Sequence, residues 1–265
     1  MDKILIEENT MLKKENRLPI GENKMATMPI GKLLVNMATP LIIAMVVQAL
    51  YNIVDSFFVS RISDVEAETE SAIAAMSLAF PVQNLLIGFA TGIGVGVNSL
   101  LSKSLGEGNR EKANRTAGNG IFLALIATGL FVLFGLFGVK PYYEMQGASQ
   151  QIVENGIAYT SICSLFTAGI YFEILFERML QATGRTMHTM VTQGVGAVVN
   201  IVLDPIFIFG VEALGIPAMG AAGAAIATVT GQFAAALLAL FFNLKCNPDV
   251  HLSLKAIMPR PDVLK

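Results

Sequence analysis

Apolar residues in this chain gather into six blocks of about twenty to thirty residues, separated by short polar stretches. The blocks run from about Leu33 to Ser60, Ala72 to Leu101, Ala117 to Val139, Ile157 to Leu180, Met190 to Gly210, and Ala221 to Leu244. About twenty residues wound as a helix cross ~30 Å of hydrocarbon. A helix also satisfies its own backbone hydrogen bonds, which lipid cannot do. The pattern therefore predicts an all-α, polytopic membrane protein with six transmembrane helices over residues 33–244. Residues 1–32 read as a polar leader, part of it amphipathic, without the compact apolar core and small-residue cleavage site of a signal peptide. Residues 245–265 read as a polar tail. The segment from Leu105 to Arg110 is rich in glycine and charge, and predicts a short turn between the second and third helices.

Charge then orients the spans. Of the eighteen Lys and Arg, sixteen fall in the leader, the second and fourth connections, and the tail. Only Arg61 and Lys140 fall on the opposite side. The positive-inside rule puts the sixteen in the cytoplasm, so both chain ends are expected there. Asp64, Glu66, Glu68 and Glu70 then face outward. The composition agrees, with 54% hydrophobic and 14% charged residues. No stretch is basic enough to suggest a nucleic-acid partner. Cys163 and Cys246 are not expected to pair, and His188 and His251 lie outside the blocks, so no histidine metal site is visible.

Charge inside a span is costly and usually faces a bundle interior or a wet cavity. Four carboxylates raise that question. Glu177, beside Arg178, reads as a helix-end group near the headgroups, whereas Glu173 lies one turn deeper on the same face. Asp55 and Asp204 lie at similar depth, each about five residues from the outer end of its block. Asn200 lies one turn before Asp204 and Asn52 three residues before Asp55, so each pair shares a helix face. Two carboxylates with amide neighbours suit a proton or a small hard cation such as Na⁺. Pro40, Pro81 and Pro205 interrupt backbone hydrogen bonding within spans and permit bending. Gly88, Gly92 and Gly96 recur at four-residue spacing in the second block, as do Gly223, Ala227 and Gly231 in the sixth, which predicts close helix packing. The glycines from Gly92 to Gly96 lack the G-x-G-x-x-G spacing and the strand of a nucleotide loop. No Ser–His or metal-ligand constellation points to an enzyme.

Six stretches carry a family resemblance: Gln48 to Asp55, Gly92 to Gly96, Leu105 to Asn109, Gln181 to Arg185, Asn200 to Pro205, and Gly223 to Thr228. In this order, on these spans, they resemble the N-terminal half of a bacterial multidrug and toxin extrusion (MATE) transporter. The resemblance covers the chain from about Leu33 to Asn243. It implies one six-helix lobe of a twelve-helix transporter that exports drugs and organic cations by antiport with H⁺ or Na⁺. It assigns cation or proton coupling to Asp55, Asn200, Asp204 and Thr228, helix bending to Pro40, and no cofactor beyond the coupling ion. A Na⁺ would sit at Asp55, Asn200 and Asp204. Gln48, Asn52 and Glu173 are candidates to line the cavity. The implied partners are the lipid bilayer, the exported compound and a second six-helix lobe, and the implied location is the cell membrane. Two alternatives stay open: a lipid-linked sugar flippase of the same wider superfamily, and a non-transporting fragment that needs a second lobe. A flippase would be expected to line its cavity with Arg or Lys for phosphate, and the paired Asp55 and Asp204 favour the antiporter.

Overall fold

A computed structural model of the chain describes residue 25, residues 28–62 and residues 66–252. Most of the leader, Asp64 and the tail beyond residue 252 lie outside the described residues. The helices are α1 (Ile30–Val59), α2 (Glu66–Gly106), α3 (Arg110–Phe137), α4 (Val139–Glu144), α5 (Gln150–Leu165), α6 (Ala168–Ala182), α7 (Thr186–Phe209) and α8 (Gly220–Lys245). Five of them (α1, α2, α3, α7 and α8) are long and apolar enough to cross a membrane. The fourth block, expected as one helix, is the pair α5 and α6, bent by 45° at a short break. Taken as one bent span, this pair completes the six. Pro40, Pro81 and Pro205 sit inside unbroken helices. His188 belongs to the first turn of α7, where its ring meets Phe242 at 4.6 Å between centroids.

Two turns at one end of the bundle share a design. After α2, Gly108 takes φ +70°. Its N–H donates to the Leu105 carbonyl at 3.0 Å, and the next N–H, of Asn109, donates to Ser104 at 2.9 Å. After α6, Gly184 takes φ +76°. Its N–H donates to Gln181 at 2.9 Å, and that of Arg185 donates to Leu180 at 2.8 Å. This paired pattern is the Schellman cap, which favours glycine because a left-handed backbone crowds a Cβ. Asn109 then caps α3 by accepting from the Lys112 N–H at 3.0 Å. Each glycine thus reverses the chain within a few residues and starts the next helix at a fixed angle.

Lipid gives apolar helices little reason to associate, so small residues that admit close approach decide the packing. The interior is accordingly rich in alanine: Ala113, Ala117 and Ala124 on α3, and Ala224, Ala225, Ala227, Ala235 and Ala239 on α8, are fully buried. A Cβ at Gly223 would lie 2.3 Å from the Phe207 carbonyl oxygen, and one at Gly231 would lie 2.7 Å from that of Gly196. Those two glycines let α8 rest on the backbone of α7, as the sixth-block spacing predicts. The second-block stripe behaves differently. A Cβ at Gly88, Gly92 or Gly96 would meet nothing within 4 Å, so among the described residues this stripe packs against no helix. The contact falls instead on Gly94, whose Cβ would lie 2.8 Å from Cγ of Arg178 on α6. At the opposite end, Tyr143 is buried and its hydroxyl donates to the Ala75 carbonyl at 3.0 Å, sharing a further bond with Thr160 Oγ1 at 2.8 Å.

Candidate functional site

α1 packs chiefly against α7, and α7 against α8. Asp55, Asn200, Asp204 and Thr228 come from these three helices. The 3.6-residue turn puts Asn200 and Asp204 on one face of α7, and both are buried, Asp204 completely. The Asn200 amide bridges the two inner helices. Its NH₂ group donates to Asp204 Oδ2 at 3.2 Å, and its carbonyl oxygen accepts from Thr228 Oγ1 at 3.3 Å. Asp204, Asn200 and Thr228 thus form one hydrogen-bonded line from α7 to α8.

Asp55 approaches from α1, and the charges of Asp55 and Asp204 lie within electrostatic reach of each other. Its Oδ1 is buried without a hydrogen-bond partner. Among the described residues, no Lys or Arg forms an ion pair with either aspartate. A buried carboxylate oxygen without a partner is costly unless it takes a proton or a cation. The candidate residues offer carboxylate, amide and hydroxyl oxygens, the kind of donor that suits a hard cation such as Na⁺. Each aspartate lies about five residues from the end of its helix, as expected from the sequence.

The other predicted positions divide. Pro40 is buried within α1. Gln48 and Asn52 are exposed on α1, so the structure does not bring Asn52 together with the buried network. Glu173 is partly buried on α6. Tyr51, one turn before Asp55, lies within electrostatic reach of Glu173, Asp55 and Asp204. A second group also reaches Asp55. Gln83 on α2 donates to the Tyr159 hydroxyl on α5 at 2.8 Å, beside Cys163, and the Asp55 charge acts on both Tyr159 and Cys163. The two cysteines are free.

Glu177 corrects the sequence reading. It is not a headgroup-facing carboxylate but is 3% exposed. Oε1 accepts from Thr192 Oγ1 at 2.6 Å and Oε2 from Gln193 Nε2 at 2.7 Å, both on α7. Arg178 turns aside and donates to Gln181 at 2.8 Å. The signal available in the sequence was the polar trio Thr189, Thr192 and Gln193 on the next span, at a spacing that matches a buried acceptor.

A helical membrane lobe with paired carboxylates at a helix junction defines the class: a polytopic membrane transport protein. The MatE family model matches residues 40–206, and the chain belongs to this family of MATE transporters. It is 28% identical over 201 residues to an FAD transporter of Shewanella oneidensis, covering 76% of this chain and 43% of that protein. It is 24% identical over 236 residues to the multidrug export protein MepA of Staphylococcus aureus, covering 89% of this chain and 50% of MepA. Among solved structures, it matches an outward-facing multidrug resistance MATE transporter of the MOP superfamily with TM-score 0.78 at 30% identity, over 88% of this chain and 49% of that one. A MOP superfamily transporter from Pyrococcus furiosus matches with TM-score 0.78 at 29% identity. The chain spans about half the length of these relatives and corresponds to one lobe of the solved transporters.

Proposed function

We propose that this chain is the N-terminal lobe of a secondary active exporter of drugs and organic cations, driven by antiport with H⁺ or Na⁺. Asp55, Asn200, Asp204 and Thr228 take the coupling ion, and Pro40 permits α1 to bend. The observations that carry the reading are the unpartnered Asp55 oxygen, the hydrogen-bonded Asp204–Asn200–Thr228 line, and the electrostatic interaction between the two aspartates. Binding of the ion there changes the charge at the junction of α1, α7 and α8. A ligand that favours one arrangement of those helices shifts the population toward it. Net negative charge in the region also favours a cationic cargo. The FAD transporter among the relatives marks the other kind of cargo, and the absence of any Lys or Arg pair at the described site favours the cationic one. The lobe sits in the cell membrane with both ends in the cytoplasm, and a second six-helix lobe completes the transporter.

Ethidium efflux from cells tests this directly, with the second lobe supplied and the proton and sodium gradients collapsed separately. Asp55→Asn and Asp204→Asn are expected to reduce efflux to the level of cells without the gene, and one gradient alone is expected to drive the unmutated protein. Normal efflux in both variants, with normal membrane insertion, overturns the coupling assignment.

A further inference from the structure

The residues that follow α8 do not leave the lobe freely. Cys246 ends the helix, and Asn247, Asp249 and Val250 are all buried, with Val250 inserted into the apolar core shared by α2, α3 and α6. Arg185 holds this segment. Its Nε donates to the Cys246 carbonyl at 2.7 Å, and its Nη1 donates to Asp249 Oδ2 at 2.6 Å. Side-chain exposure is only 20% for Arg185 and 11% for Asp249, so the pair is screened far less than a surface ion pair. A second bond ties the segment to α3: the His251 N–H donates to Asn114 Oδ1 at 2.8 Å.

The position of Arg185 gives the clasp its meaning. The Schellman cap at Gly184 sets Arg185 directly before α7, which begins at the next residue. α7 is also the helix that carries Asn200 and Asp204, about 22–28 Å beyond Arg185 at 1.5 Å per residue. One arginine therefore joins the start of the site helix to the segment through which the chain leaves the lobe. We infer that Arg185 is a positioning residue that couples movement of α7 to the segment 246–252, so that the state of the ion site is reported to whatever follows. The inference rests on the transport reading above for its purpose, but its test does not need transport.

Hydrogen exchange on the chain in lipid nanodiscs reads the coupling. Arg185→Ala is expected to speed exchange of the amides of residues 247 and 249–252 by about tenfold, since charge-assisted bonds are lost. Arg185→Lys, which keeps the pair with Asp249, is expected to recover part of the protection. Asp204→Asn, which removes a charge at the site, is expected to change exchange in this segment by about fivefold, and to leave it unchanged in the Arg185→Ala background. Equal exchange in the unmutated chain and Arg185→Ala overturns the clasp. No response to Asp204→Asn, or the same response without Arg185, overturns the coupling. If the exchange behaves as stated while ethidium efflux is absent with the second lobe supplied, the transport reading fails and the coupling stands.

Discussion

At the residue scale, the structure separates two kinds of buried carboxylate. Asp55 keeps an unpartnered oxygen, whereas both oxygens of Glu177 accept hydrogen bonds from α7. The first arrangement is open to a ligand, and the second holds helices together. Glu177→Leu is accordingly expected to lower stability by about 1–3 kcal/mol, because the Gln193 amide loses its acceptor and the Thr192 hydroxyl keeps only the Thr189 carbonyl at 2.8 Å. Adding Thr192→Val to Glu177→Leu is expected to cost less than the sum of the two single changes, since they share one bond. Thermal unfolding in detergent measures both, and strict additivity would show that the Thr192–Glu177 bond contributes nothing. The sequence made the Asn200–Asp204 pair legible because helical spacing alone puts amide and carboxylate on one face, whereas Asp55 stood out by its depth in the first block. The role of Glu177 was not legible, since its partners lie fifteen and sixteen residues away on another helix.

At the element scale, the same residue type carries opposite consequences in different helices. Gly223 abuts the backbone of α7, whereas Gly129 on α3 has nothing within 4 Å of a would-be Cβ. Gly223→Ala is expected to force α8 from α7 and cost about 1–3 kcal/mol, as overpacking does. Gly129→Ala is expected to be neutral or to stabilise α3 by about 0.5–1 kcal/mol. The ranking of the two variants in a thermal unfolding series checks this, and an equal loss in both would contradict it. Spacing in the sequence shows that a small-residue stripe exists but not whether a helix lies against it, which is why Gly88, Gly92 and Gly96 were expected to pack and do not. The bend between α5 and α6 was hidden for a related reason. No proline marks it: the break falls at Phe166, whose φ −101° and ψ 20° leave the helix, and the Gly169 N–H turns to the Phe166 carbonyl at 3.1 Å.

At the scale of the whole molecule, block length and charge placement made the spans legible, because both are properties of the chain read in one dimension. The orientation they imply has a direct check. In a chain with Cys163 and Cys246 replaced by serine, Lys140→Cys is expected to react with an impermeant maleimide in intact cells. Lys112→Cys is expected to react only after permeabilisation; the reverse pattern would invert the topology. Both native side chains are open to solvent, 73% and 38% exposed. The helices are also unequally embedded: in its most apolar stretch α1 is 11% buried within the lobe, against 39% for α8. That imbalance predicts an order of assembly. Helices that insert independently associate afterwards through packing, and α1 has the least packing to gain. It is accordingly expected to settle last, after α7 has found α8. A chain that starts at residue 62 is expected to insert and fold as a bundle while losing half of the paired carboxylates. Resistance to proteolysis in membranes would show it.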